Sequence, residues 1–206
     1  MSLLQKLSEK SWEHVGTNRA VPGLGEGAFA APAQKIALRA FIAVLTVMFG
    51  LFITAYFVRM ELDDWRPLPE PPLLWINTFI LFLCSVALQW TRIMVGKLEK
   101  KKVQWGMVVC GLLTLGFVVG QLLAWQQLSA EGYLVYSNPA NSFFYLLTGL
   151  HGLHLLGGLW VWTRASFRVW FGAEAEEIQL SVELCSTYWH FLLLVWLVIF
   201  GILSYT

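Results

Sequence analysis

FFYLLTGLHGLHLLGGLWVWTR, residues 143–164, decides the fold. Before Arg164 the run holds no Asp, Glu, Lys or Arg, and its length matches the roughly 20 apolar residues that a helix needs to cross a hydrocarbon core about 30 Å thick. A segment of this kind is a transmembrane helix. Working outward, the same length recurs at 182–204 (VELCSTYWHFLLLVWLVIFGILS), 105–125, 73–92 and 36–58, each run bounded by charges, Pro, Gly or Trp. With 57% hydrophobic and 13% charged residues, the 206-residue chain has too little polar surface for a water-soluble globule of its size. The predicted fold class is all-α: a polytopic transmembrane bundle of five helices.

Charge placement predicts its orientation. Lys and Arg resist translocation, so they collect in short cytoplasmic segments. With the N-terminus inside, the inner segments hold Lys6, Lys10, Arg19, Lys35, Arg39, Arg92, Lys97, Lys100, Lys101, Lys102, Arg164 and Arg168, whereas the outer segments hold only Arg59 and Arg66. The chain is therefore expected to begin inside and end outside. Trp65, Trp75 and Trp125 fall at the outer ends of the runs and Trp90, Trp105, Trp162 and Trp170 at the inner ends, as an interfacial aromatic belt requires. Between the first two crossings, RMELDDWRPLPEPP (residues 59–72) cannot continue a helix through its prolines and reads as a stiff external loop.

Residues 1–35 contain no apolar stretch followed by a small-residue cleavage site, so they are expected to stay cytoplasmic. Within them, 3–15 suits a short surface helix with Leu4, Leu7 and Val15 on one side, and 16–34 is a tether rich in Gly, Pro and Ala. The membrane domain is expected over 36–206. A formal net charge of +1 offers no basic surface for nucleic acid. Cys84, Cys110 and Cys185 are scattered singly, which fits neither a disulfide framework nor a CxxC site; they read as small core residues. Gly116 and Gly120 form a GxxxG, and Gly149, Gly152, Gly157 and Gly158 thin the fourth crossing, so close helix packing is expected at these positions. No repeat of helix pairs is visible, which weakens an inverted-repeat transporter.

Ionisable groups are expensive in hydrocarbon and each requires a reason. His151 and His154 share a face of the fourth crossing, and Glu183, Thr187 and His190 form a stripe on the fifth. Because the two helices run in opposite directions, His154 and His190 come to similar depths, and a hydrogen-bonded contact between the stripes is geometrically possible. Three readings compete: a heme or metal site, for which these donors are few; a proton relay, for which Glu183 sits too near the inner end; and neutral side chains that bridge helices by hydrogen bonds. Nothing in the sequence suggests a nucleophile with its base or a phosphate-binding loop.

The order of motifs adds a resemblance. SNPANSFFYLLTGLHGLHLLGGLWVW (137–162) resembles the HGxH helix of subunit III of heme-copper terminal oxidases, and VELCSTYWHFLLLVWLVIFGILSY (182–205) resembles that family's last helix, with its pattern at Glu183, Tyr188, Trp189, His190, Phe191, Val195 and Trp196. PLLWINTFILFLCSVALQW (72–90) and VVGQLLAWQQL (118–128) are similar to earlier helices of the family, whose bacterial members often have five helices. The resemblance implies a non-catalytic accessory subunit in the bacterial inner membrane, part of a respiratory complex that reduces dioxygen to water. Heme and copper would lie in the partner catalytic subunits, above all subunit I, and none in this chain. The implied roles are support of assembly, proton uptake and active-site longevity, with phospholipid bound. His151, His154, Glu183, Thr187 and His190 would be structural or lipid-facing groups. Two departures stand out: the family's acid in the first helix corresponds to Thr46 in LTVMFG (45–50), and the carboxylate usual after YWHF corresponds to Leu193. They keep open an accessory subunit of a nitric oxide reductase or quinol oxidase, and, in another class, an independent transporter or heme carrier.

Overall fold

The computed structural model describes residues 33–69, 71–172 and 175–205. Among them are five helices and no strands: α1 Ala33–Met60, α2 Leu73–Gly96, α3 Lys100–Ala130, α4 Pro139–Phe171 and α5 Ala175–Tyr205. All five are long and apolar enough to cross a membrane. The expected surface helix at 3–15 lies outside the described residues, as does the tether up to residue 32. Residues 33–35, expected at the end of that tether, form the first turn of α1 instead.

The helices overrun the apolar runs that announce them. α3, α4 and α5 have 31, 33 and 31 residues, each about 45–50 Å at 1.5 Å per residue, against a hydrocarbon thickness of about 30 Å. Residues 165–171 and 175–181 thus continue α4 and α5, and Gly172, whose φ is 84°, suits the left-handed end of α4. α4 starts with Pro139 in its first turn, after Asn138, whose side chain accepts from the Ala140 amide at 3.3 Å. α2 and α3 are joined by a tight reversal through Leu98, whose φ is 58°.

α3 packs along α2 and α4, and α5 along α2 and α4. α1 differs: none of its described Cα atoms comes within 8 Å of another helix. It engages α4 and α5 through long side chains, with Phe49 against His154 (ring centroids 5.6 Å), Tyr56 against Phe143 (5.6 Å) and Phe41 against Tyr188 (6.1 Å). Leu45, Phe49 and Tyr56 are its buried residues.

The close approaches are made by glycines other than most of those expected. A Cβ at Gly106 would lie 1.9 Å from Thr91 Oγ1, one at Gly111 2.4 Å from the Trp162 ring, and one at Gly120 2.1 Å from Asn77 Oδ1. Gly158 packs on Tyr188 and Trp189, and Gly149 touches Trp125 at ordinary contact distance. A Cβ at Gly116, Gly152 or Gly157 would meet nothing within 4 Å inside this chain. On α3 the seam follows Gly106, Cys110, Thr114, Phe117 and Gln121, a stripe at helical spacing that places Gly116 on the opposite side.

Trp75, Trp90, Trp105 and Trp170 are exposed at helix ends, in keeping with a belt. Trp65 is different, stacking edge-on with Tyr56 at 4.9 Å. Trp125 donates to Thr148 and Trp162 covers Gly111, so these two also hold helices together.

Candidate functional site: a polar seam between α2 and α5

On α2, Ser85, Gln89 and Arg92 recur at helical spacing, and α5 presents Glu183, Ser186 and His190 opposite them. The two sets meet. His190 Nδ1 is hydrogen-bonded to Ser85 Oγ, while His190 Nε2 lies 3.2 Å from Gln89 Oε1 and 3.3 Å from Ser186 Oγ. With Nε2–H donating to Gln89, Nδ1 accepts from the serine hydroxyl, which is the neutral tautomer that these partners favour. Two turns toward the helix start, Glu183 bridges two cations: Lys35 Nζ of α1 at 2.8 Å and Arg92 Nη2 of α2 at 3.3 Å. Its side chain is 25% exposed, so solvent screening keeps each pair weak, and what Glu183 chiefly does is hold the start of α1, the end of α2 and the start of α5 at one end of the bundle.

The contact between the stripes of α4 and α5 that helix depth made possible is not made through histidines. His154 Nδ1 donates to Leu150 O in its own helix, at 2.7 Å, and its ring faces Phe49 of α1. What links α4 to α5 at this level is Tyr188, whose hydroxyl donates to His154 O at 3.2 Å. Thr187 is exposed and donates to Glu183 O within α5. His151 is fully buried between Phe117 (5.9 Å) and Trp196 (5.1 Å), and neither of its ring nitrogens has a hydrogen-bond partner among the described residues. His190 thus meets Ser85 and Gln89 of α2 rather than His154 of α4. Ser85, Gln89 and Arg92 were missed, although their spacing on a face of the second run was the signal that could have found them.

A second polar system runs through the core. Trp125, Trp189 and Trp196 donate their indole N–H groups to Thr148 (3.2 Å), Thr114 (3.4 Å) and Thr78 (2.9 Å), each across a helix boundary. Each threonine spends its own proton on the carbonyl four residues back, at 2.7–2.8 Å, which leaves its oxygen free to accept. The two departure positions offer no ionisable group: Thr46 is exposed and donates to Ile42 O at 2.8 Å, and Leu193 packs against the core.

Both nitrogens of His190 already face polar partners, His151 is enclosed by aromatic rings, and His154 Nδ1 is held by its own helix. Among the described residues no group of three or more His, Cys, Asp or Glu side chains converges as a metal would need. A cleft of about 340 Å³ opens between α1, α4 and α5, lined by Leu38, Phe41, Leu153, His154, Gly157 and Tyr188 among others, and is almost wholly apolar.

Fold and seam together define a helical, multi-pass membrane protein whose polar side chains join helices to one another. Residues 35–206 match the family model described as cytochrome c oxidase subunit III, and the chain belongs to that family. A probable cytochrome c oxidase subunit 3 of Mycobacterium tuberculosis is 33% identical over 98 residues, which is 48% of each chain. The subunit 3 of Triticum aestivum is 31% identical over 141 residues, covering 68% of this chain and 49% of its own, and that of Thermostichus vulcanus is 27% identical over 184 residues, covering 82% and 86%. The aligned part thus spans about half the length of the mycobacterial and plant relatives.

Proposed function

We propose that this chain is the accessory subunit III of a heme-copper cytochrome c oxidase, packed in the membrane beside catalytic subunit I and holding no redox centre of its own. The match of the whole helical region, residues 35–206, to the subunit III family carries the reading. Its polar groups support it, since His190, Glu183 and the three tryptophan–threonine pairs are spent on joining helices. Electron transfer and dioxygen reduction then belong to the partner subunits, where heme and copper reside. The role left to this chain is to brace the complex, sustain proton uptake and prolong the life of the active site.

On the same reading the N-terminal segment lies in the cytoplasm of a bacterium and the inner membrane is the location. The support is positional: Lys35, Arg39, Arg92, Lys97, Lys100, Arg164 and Arg168 fall at one set of helix ends, and Arg59 and Arg66 at the other. The apolar cleft between α1, α4 and α5 takes phospholipid acyl chains.

Purification from native membranes in mild detergent tests the proposal. The chain should elute with a polypeptide that carries the heme absorption of an oxidase and turns over dioxygen; isolation as a stable lone protein would refute it. The second reading, a nitric oxide reductase partner, is motivated by the missing carboxylates at Thr46 and Leu193, and co-transcription with a nitric oxide reductase rather than an oxidase would favour it.

A further inference from the structure

Cys84 sits in the middle of α2 and Cys110 in the first half of α3, and the fold brings their sulfurs to 3.1 Å. Both side chains are fully buried. A disulfide is about 2.05 Å long, so about 1 Å of approach separates this contact from a covalent bond. The helices cannot easily drift apart. Gly106 presses against Thr91 on one side of the pair and Gly120 against Asn77 on the other, both at separations with no room for a methyl group. Two neighbouring helices clamped above and below leave the sulfurs facing each other.

The pair also has a hydrogen-bond acceptor. Thr114 Oγ1 lies 3.3 Å from Cys84 Sγ and 4.0 Å from Cys110 Sγ, and because its own hydrogen goes to Cys110 O at 2.8 Å, its oxygen can accept from a thiol. Trp189 Nε1 fixes that oxygen from α5 at 3.4 Å. Isolated buried thiols are inert; this is a pair with an oriented hydroxyl between helices.

We propose that Cys84 and Cys110 form a dithiol oxidation site within the membrane, closed to a disulfide between α2 and α3 by a small uncharged peroxide. The Cys84 sulfur attacks a peroxide oxygen, the O–O bond breaks, and the departing hydroxide leaves as water with the thiol proton. The Cys110 sulfur then attacks the sulfenic sulfur, the S–S bond forms as the S–O bond breaks, and a second water leaves with the Cys110 proton. Two thiols and one hydrogen peroxide become one disulfide and two waters, an organic hydroperoxide giving an alcohol in place of the first water, and the sulfurs lose the two electrons that the peroxide oxygens gain. A neutral oxidant suits the site because hydrocarbon excludes charged ones.

The test uses whatever native assembly mild-detergent purification yields, so its outcome does not depend on which partner is found. Samples are titrated with hydrogen peroxide or an apolar organic hydroperoxide, quenched, alkylated in denaturant and digested for mass spectrometry. The expected product is a Cys84–Cys110 linked peptide pair, two hydrogens lighter than its separate parts, reversed by reductant and formed at lower peroxide than oxidation of Cys185. Cys185→Ser keeps the product, and Cys84→Ser abolishes it, leaving Cys110 to end as a singly oxidised acid. Cys84 and Cys110 still alkylated when Cys185 is already oxidised would overturn the proposal, as would linkage of Cys110 to Cys185.

Discussion

The indole N–H of Trp196 on α5 donates to Thr78 Oγ1 on α2 at 2.9 Å, although the two residues are 118 positions apart in the chain. Thr78 can accept because its own proton is committed to Leu74 O at 2.8 Å. The arrangement resolves a difficulty particular to membranes: hydrocarbon offers nothing to a free indole N–H, and the hydrophobic effect supplies little force between helices already in lipid. Trp196 also packs edge-on against Phe117 of α3, so one side chain ties three helices.

Replacing Thr78 or Thr114 with the isosteric Val removes the acceptor and leaves Trp196 or Trp189 with an unpaired buried donor. Each substitution should destabilise the bundle by about 1–2 kcal/mol. Thr46→Val, at an exposed position whose hydroxyl serves only its own helix, should be neutral. Thermal denaturation of the native assembly purified in one detergent, followed through this chain, ranks the three. Equal stability of Thr78→Val and Thr46→Val would contradict the role given to the indole bonds.

How much of this was legible follows from what kind of signal each feature leaves. The helices at 143–164 and 182–204 announce themselves because a bilayer demands length and apolarity, and both survive any choice of neighbours. Helix ends did not, since the turns beyond each apolar run obey local propensity and capping rather than hydropathy. The partner of His190 was also hidden: a face can be read from spacing, but which helix lies opposite depends on the packing of all five. Gly116 is a related case. GxxxG marks a surface able to pack closely, whereas the surface in use on α3 is set by Gly106, Cys110 and Thr114.

Glycine substitutions separate those two surfaces. Gly111→Ala would place its methyl 2.4 Å from the Trp162 ring, and Gly106→Ala 1.9 Å from Thr91 Oγ1. Thr91 Oγ1 can rotate only by giving up its bond to Ala87 O, so both changes should lower stability by about 1–3 kcal/mol. Gly116→Ala meets open space and should be neutral or better, because alanine favours the helix by up to about 1 kcal/mol. A destabilised Gly116→Ala in the purified native assembly would show that its face is in use after all.

In the segment between α1 and α2, Arg59 Nη1 and Nη2 both bond the Asp64 carboxylate, the former at 2.6 Å. The guanidinium holds the Asp64 carboxyl below its ordinary titration range. A carboxylate whose folded value is depressed contributes stability above its unfolded value and loses it as pH falls through the folded one. Arg59→Gln should therefore move the Asp64 titration upward, read by carbon-detected NMR of labelled aspartate. An unchanged midpoint would mean that the pair does not persist in solution.

The two histidines on which the family resemblance rests most should respond in opposite directions to the same substitution. His190 has Ser85, Ser186 and Gln89 as partners, so His190→Leu strands several polar atoms along the α2–α5 seam. Loss of about 1–2 kcal/mol is expected, and in an oxidase complex the effect should appear as weaker assembly and faster inactivation during turnover rather than as a lower initial rate. His151 is fully buried, in contact with Phe117 and Trp196, and neither nitrogen is paired among the described residues. An imidazole in that setting carries a desolvation penalty without a compensating bond. His151→Leu, which fills the place with an apolar side chain, should therefore leave stability unchanged or raise it by about 1 kcal/mol. Parallel melting curves of the two variants decide the matter. If His151→Leu fell as far as His190→Leu, the aromatic pocket around His151 would have to supply a polar partner for its ring, and the division between a bonded and an unbonded histidine would collapse.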